Sequence, residues 1–498
     1  MRSSLLSACG ALFLSAGALA TDATWTNYTY KTGPWQPPQL VVNKTGAYDP
    51  SLIFIPVRNS NTAGTAVTIY GNDGKLVYQG PEEITMDFKM QQLFGKNVIT
   101  FWSGTPQIAG GYGYGKVHIL DDTYKEIYTI TLDEGFLTAD GDAYDSYIDV
   151  HEHIITPRNT IIVSAINVTQ HDLSSAGGPT DGWMTVSQFY EIDIPTNKVV
   201  YKWDALEHQE AIPLSSSKYS PPSGNSRKTP WDCYHMNSVE TTNDGFLVSL
   251  RFFWSAYYLN QDGTVRWQFS GADDEGDFFG EDNRFSWQHH ARIYNETDES
   301  LVLSLFNNAN GQQESQSVTT GMSWDVDLAF MTSTMLHNLT DPNDPIKTQT
   351  QGSVQFLGAA APTSNMFMGY GSVPMVKEYD GAGNVVFTGQ FAPLGKGESY
   401  RAFKFPWTAT PMWSPVAVAE TSDSSTTVYM SWNGATEYDN WAIYSVPSAN
   451  SNATTLLTTV ERDGFETHVT LQSLSATYLK VAARKGSKTM RFSDTISV

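Results

Sequence analysis

A short phrase recurs along the chain and constrains its fold more than any other feature. It runs from an apolar strand into a polar turn holding Asp, Asn or Gly, then into a second alternating strand. It stands at IYGNDGKLVYQG (69–80), ILDDTYKEIYTI (119–130), EIDIPTNKVVYKW (191–203), YLNQDGTVRWQF (258–269) and EYDGAGNVVFTG (378–389). Each copy reads as the hairpin closing the outer strands of one sheet, with turn residues supplying positive φ or Asx hydrogen bonds. In front of several copies comes an inner pair of strands, as in VHEHIITPRNTIIVSAIN, HMNSVETTNDGFLVSLR and HARIYNETDESLVLSLFNN. Units repeating at this length predict the blades of a β-propeller, since radial repetition leaves only short, protected sheet edges. With an irregular unit at 287–350, where the turn phrase is absent, the count is six; seven remains open.

The texture changes after SYRAFKFPWTATP (399–411). Residues 414–498 read as seven short strands with Trp432 early and Tyr478 late, a fibronectin type III-like β-sandwich of linker or adhesive type. The expected fold class is therefore all-β: a propeller over 21–413, then this sandwich. Residues 1–20, MRSSLLSACGALFLSAGALA, carry Arg2, an apolar stretch and small residues at Ala18 and Ala20, which is a cleavable secretory signal. A secreted, extracellular protein without a membrane span follows as the expectation. Six N-x-Ser/Thr acceptors, at Asn27, Asn43, Asn167, Asn295, Asn338 and Asn452, fit a glycoprotein. Once the signal is removed Cys233 is the only thiol, so no intrachain disulfide can form, and its neighbours Trp231, Tyr234 and Met236 favour burial.

The net charge of −22 leaves no basic face for nucleic acid or anionic membranes. No P-loop, dinucleotide fingerprint or G-x-S-x-G elbow occurs, so no cofactor is expected. Five histidines head three apparent inner strands: His151 and His153 in DVHEHI, His235 in WDCYHMNS, and His289 with His290 in SWQHHARI. In a propeller such positions converge at the mouth of the channel. On a two-residue strand period His151 and His153 face one side, whereas only one of His289 and His290 can face the channel; we take His289 and expect His290 between blades. Arg251, Arg292, Asn237, Asn307, Tyr400 and Arg401 lie at neighbouring strand ends. A metal site at the H-x-H spacing is weighed against the flanking carboxylates, which should point away, and against Arg251; no metal is expected.

The phrases YHMNSVETTNDGFLVSLR, NQDGTVRWQFSG, FSWQHHARI, NMFMGYGSVPMVKEYDGAGNVVF and SYRAFKFPWTATP, in that order, resemble the secreted fungal branch of the arylsulfotransferase (ASST) family from about Asp149 to Pro411. The resemblance implies nucleotide-independent transfer of a sulfuryl group between phenols through a sulfohistidine. His235 and Asn237 match the family's H-x-N-S element, Arg251 its strand-ending arginine and His289 its Q-H element. It therefore implies His235, His289 and Arg251 as catalytic, with Asn237, His151, His153 and Arg401 binding substrate. Two departures stand out: GYGSVPMVKEYD has no histidine where relatives place the nucleophile, and FNNANGQQ carries Gln312 and Gln313 where they tend to place arginine. The expected partner is a small aromatic or phenolic molecule, and the protein is expected to be a monomer. The alternatives are a non-catalytic ligand-binding or adhesive glycoprotein, or a secondary-metabolism enzyme performing a cyclisation, elimination or isomerisation on the same scaffold.

Overall fold

The computed structural model describes residues 25–59, 65–107, 110–219, 224–280, 282–311 and 317–498. The expected signal peptide and Gln312 and Gln313 lie outside them. The described chain is almost wholly strand, with four short 3-10 turns, and has no helix long and apolar enough to cross a membrane.

Each recurring phrase is a hairpin between the third and fourth strands of an antiparallel unit. Ala66–Tyr70 pairs with Leu76–Gln79, Tyr112–Leu120 with Glu126–Ile130, Gly182–Asp193 with Lys198–Asp204, Ser255–Asn260 with Val265–Ser270, and Met375–Tyr379 with Val385–Gln390. Every turn holds one residue at positive φ: Gly74, Tyr124, Asn197, Gly263 and Gly383. The irregular stretch contains the same hairpin, Thr320–Asp327 with Thr332–Leu339, and there Met331 takes the positive φ. The phrase is missing while its geometry is kept.

Four-stranded units thus follow one another along the chain. Their innermost strands are Thr85–Leu93, Ile148–Ile155, Met236–Thr241, His289–Tyr294, Ser353–Phe356 and Phe403–Phe405. Neighbouring units touch through these strands or the strand beside them, and the sequence of contacts returns on itself to give a propeller-like arrangement. Both ends of the region add a strand to a unit built elsewhere in the chain, one as a fifth strand and one as the fourth. Val41–Lys44 adds an outer strand to Val385–Gln390, and Phe403–Phe405 adds the inner strand beside Leu52–Asn59. Apolar clusters fill the spaces between adjacent sheets; one joins Phe189, Trp203, Phe246 and Tyr257. Each sheet is therefore apolar on both faces and leaves its polar strand heads to the centre.

The C-terminal region forms two facing sheets. Val416–Ser422, Ser425–Ser431 and Glu466–Gln472 make one. Asn440–Val446, Thr455–Glu461, Tyr478–Lys485, Lys488–Phe492 and Ile496–Ser497 make the other. Trp432, Trp441, Val428 and Val481 fill the core between them.

Candidate active site

At the heads of four innermost strands the two-residue period is interrupted. Bulges fall between Met86 and Lys89, opposite Val163–Ala165 beside Ile148–Ile155, between Met236 and Ser238, and between His289 and Arg292. An extra residue re-aims the side chains that follow it, so the central space is lined by residues that strict alternation would turn away.

A cavity of about 1130 Å³ opens there. His151, His235, His289, Arg251 and Tyr400 all line it. His235 Nδ1 lies 2.5 Å from Asp232 Oδ2, and Thr185 Oγ1 donates to the other carboxylate oxygen at 2.8 Å. His151 Nδ1 lies 2.6 Å from Asp149 Oδ2, and Asp149 Oδ1 accepts from the Gly113 N–H at 3.0 Å. A carboxylate on Nδ1 fixes the proton there and leaves the Nε2 lone pair free. The two rings stand 4.9 Å apart at 78°, so two carboxylate-backed imidazoles meet edge to face. Burial opposes ionisation of Asp149, but the His151 ring and its hydrogen bonds hold the carboxyl below its usual range. Burial pushes His235 below the usual histidine value, with Asp232 opposing.

His289 is built differently. Its Nδ1 bonds Asn308 Oδ1 at 2.7 Å and its Nε2 accepts the Gln351 N–H at 3.2 Å. Both nitrogens are engaged, and burial followed by the nearby Arg251 holds the ring neutral, well below the usual value. It lines the cavity as an oriented wall. Arg251 follows the strand Gly245–Leu250, in a 3-10 turn that aims it inward. It is 4% exposed, donates to Gln349 O at 2.8 Å, and has no carboxylate at ion-pair distance among the described residues. Burial brings its guanidinium down to about 10, still cationic at neutral pH. A buried cation without a paired carboxylate is an anion site waiting for its counter-charge.

The backbone around the cavity is strained. His235, Trp254, Trp287, Gln351 and Tyr400, all lining it, take φ between 50° and 67°. Such conformations cost about 1–3 kcal/mol each in non-glycine residues and cluster where geometry serves chemistry.

His153, Asn237 and Arg401 do not reach the cavity, contrary to expectation. They belong to a buried polar layer farther along the inner strands. Arg401 meets Asp87 at 3.1 Å and Glu152 at 3.2 Å, and donates to Asn237 O at 2.6 Å. Lys89 bridges the same two carboxylates at 2.7 and 3.0 Å, and Arg292 reaches Glu152 at 2.6 Å. His153 sits 3.3 Å from Asp87 and 3.0 Å from Thr100 Oγ1; burial, reinforced by Lys89, pushes it down to about 3. The Asn237 amide donates to Gln288 O. Glu152 faces inward because of the bulge, where alternation predicts the opposite face. His290 is buried against Phe403, its Nδ1 3.4 Å from the Val354 N–H. Among the described residues no three His, Cys, Asp or Glu side chains are grouped to hold a metal.

Sequence reasoning missed Asp232 as a partner for His235, although D-x-x-H in WDCYH carries it, and missed Asp149 as the partner of His151. It also missed the aromatic lining of Tyr112, Phe252, Trp254 and Trp287. Of the six sequon asparagines none is buried; Asn43, Asn295, Asn338 and Asn452 are exposed. Cys233 is buried.

The family model of the arylsulfotransferase (ASST) family matches residues 89–392, which include every histidine of the cavity. No curated protein matches the chain. Among solved structures, the GH43 protein BlXynB from Bacillus licheniformis is similar at 10% identity, over 82% of this chain and 88% of that one, with a TM-score of 0.34. An alpha-L-arabinofuranosidase from Fusarium graminearum, in complex with an iminosugar inhibitor, is similar at 10% identity over 83% and 98%, with a TM-score of 0.34. The Dos1 propeller is similar at 14% identity over 73% and 70%, with a TM-score of 0.23. Likenesses at that level carry no argument about detailed fold or chemistry.

Proposed function

The chain belongs to the arylsulfotransferase (ASST) family, and on that premise we propose that its cavity moves a sulfuryl group from an aryl sulfate to a phenol. The observation that carries this reading is the pair of carboxylate-backed imidazoles, 4.9 Å apart, beside a buried guanidinium without a paired carboxylate. His235 Nε2 attacks sulfur and forms the N–S bond. The aryl S–O bond breaks, its electron pair leaves on the phenolate oxygen, and that oxygen takes the Nε2 proton of His151, which enters this half doubly protonated beside Asp149 and leaves it with Nε2 free. In the second half His151 takes the proton of the acceptor hydroxyl, the acceptor oxygen attacks sulfur, and the N–S bond breaks to restore neutral His235. Arg251 holds the charge on the sulfuryl oxygens in both halves. The missing histidine in GYGSVPMVKEYD is not needed when His235 is the nucleophile.

The test is phenol release from 4-methylumbelliferyl sulfate with a phenol acceptor. We expect turnover in the wild type, none above background in His235→Ala, and an acid-labile sulfuryl adduct on the peptide carrying His235 when acceptor is withheld. Absence of release from the wild type defeats the reading. The opposed dyads also suit proton transfer between two positions of a bound phenol, as in an isomerisation, which would show as product from a phenol with no sulfate donor.

The finer expectations complete the proposal. The propeller has six blades, the C-terminal sandwich is of fibronectin type III kind, and the boundary lies near residue 414. The chain loses residues 1–20 on export, carries glycans on its sequons, and works outside a fungal cell as a monomer in secondary metabolism. Intact-mass measurement of the secreted protein, before and after deglycosylation, tests the processing.

A further inference from the structure

One wall of the cavity is built by the turn after Leu250. The Arg251 guanidinium lies 5.0 Å from the Phe252 ring and 5.6 Å from the Trp287 ring. Trp287 in turn meets Phe252 and Trp254 edge-on, at 5.7 and 5.5 Å. Beyond Trp254 stands a second cation: the Lys218 ammonium is 6.0 Å from its ring, and the Lys218 N–H donates to Phe252 O at 2.6 Å, fixing the backbone there. The wall thus reads cation, aromatic plate, cation. Its buried unpartnered polar atoms, Arg251 Nε, Trp254 Nε1 and Trp287 Nε1, are all donors.

A sulfate on a simple phenol uses one of the two cations. The other stands across three rings, in a chain whose net charge is −22. We propose that the natural aryl substrate carries a second anionic group, a carboxylate or a second sulfate, on the side remote from the reacting oxygen, and that Lys218 receives it. The inference rests on reading Arg251 as the sulfuryl clamp. Lys218 is paired with Glu275, whose side chain is 36% exposed. The Lys218 side chain is itself 22% exposed; a pair still open to water on one side contributes little to stability, so a substrate anion seated on the aromatic plate can take the ammonium over.

The experiment uses sulfonates, which bind but are not turned over. Calorimetric titration of the full chain compares naphthalene-2-sulfonate, naphthalene-2,6-disulfonate and 6-sulfonaphthalene-2-carboxylate. The expected result is a Kd about tenfold lower for at least one dianion than for the monoanion, the size of one charge-assisted contact; which dianion wins separates sulfate from carboxylate. Lys218→Met should erase the preference and Lys218→Arg keep it, while Glu275→Gln should tighten the dianion severalfold. Equal binding of mono- and dianion by the wild type, or a preference that survives Lys218→Met, overturns the proposal. Should Lys218→Met also lose the monosulfonate, Glu275→Gln decides, and unchanged dianion affinity there overturns it. A retained preference without aryl sulfate turnover defeats the transferase reading alone; turnover without preference defeats this inference alone.

Discussion

His235 and His289 occupy one cavity yet are held by opposite kinds of partner, and that difference assigns their roles. Asp232 accepts from Nδ1 of His235 and leaves Nε2 free, whereas Asn308 and the Gln351 N–H engage both nitrogens of His289. An amide in place of Asp232 can donate to Nδ1, which moves the proton to Nε2 and removes the attacking lone pair. Asp232→Asn should therefore lower kcat by about 10²–10⁴-fold with KM little changed, and its pH profile should shift; a kcat within twofold of wild type would show that the carboxylate does not set the tautomer. Replacing His289 strands two buried partners, so His289→Ala should lose about 1–3 kcal/mol of stability in urea unfolding while His235 keeps its carboxylate and its free Nε2. A turnover loss in His289→Ala as complete as that in His235→Ala would make His289 the nucleophile instead. The histidines themselves were legible, because five of them stood at strand heads. The partners of His289 were not, since Asn308 and Gln351 join it only through the fold.

At the scale of strands, the outer hairpins were readable because a turn needing positive φ announces itself through Gly, Asn or Asp; even the unit lacking the phrase kept the hairpin, with Met331 in the left-handed conformation. The inner strands were not readable in the same way. A bulge beside Ile148–Ile155 turns Glu152 inward to meet Lys89, Arg292 and Arg401, and no periodicity reports a bulge in advance. The layer it builds is buried. Burial opposes ionisation of Glu152, but the three cations hold its carboxyl well below the usual range. Glu152→Gln leaves those cations short of a counter-charge and should cost about 3–5 kcal/mol, measured by urea unfolding; a loss below about 1 kcal/mol would mean that solvent reaches the layer. His153 gives the layer a pH dependence of definite sign. Its folded value is about 3, so below about 6.5 the unfolded chain binds a proton that the folded chain does not. Its contribution is complete above pH 6.5 and falls by about 1.4 kcal/mol per unit as the pH drops toward 3. Glu240, raised by burial to about 7, works the other way, its contribution being lost as pH rises from about 4.5 through 7. His153→Gln should therefore flatten the acid limb of Tm against pH, and Glu240→Gln the neutral limb.

The molecule as a whole is closed by its ends, and this changes what the C-terminal sandwich does. The sequence reading made it a linker or an adhesive module, the default for a small sandwich without catalytic residues. In the structure it is joined to the larger region over a broad front. Gln79 and Asn433 exchange hydrogen bonds at 3.0 and 2.9 Å, and the Tyr124 hydroxyl, itself held from within the larger region by Trp407 Nε1 at 3.0 Å, donates to Gly434 O at 2.9 Å. Tyr124 stacks on Tyr78 at 4.1 Å and packs against Trp413 at 5.6 Å. The same sandwich holds the segment before the strand Val41–Lys44: Thr32 donates twice to Glu466, and Tyr30 and Trp35 pack on Phe465. That segment leads directly into the fifth, outer strand added to Val385–Gln390, so losing the sandwich would also loosen that sheet edge. Calorimetry should accordingly show one cooperative transition, not two. Tyr124→Ala removes a buried ring shared by both regions and should lower that single transition, at a cost of about 3–5 kcal/mol. A chain ending after Pro411 should melt earlier and bind aryl sulfonates more weakly, although no residue of its cavity has been touched. Two resolved transitions in the wild type, or a truncated chain with unchanged affinity, would return the sandwich to the role of a tethered module. The cavity would then owe its shape to the larger region alone.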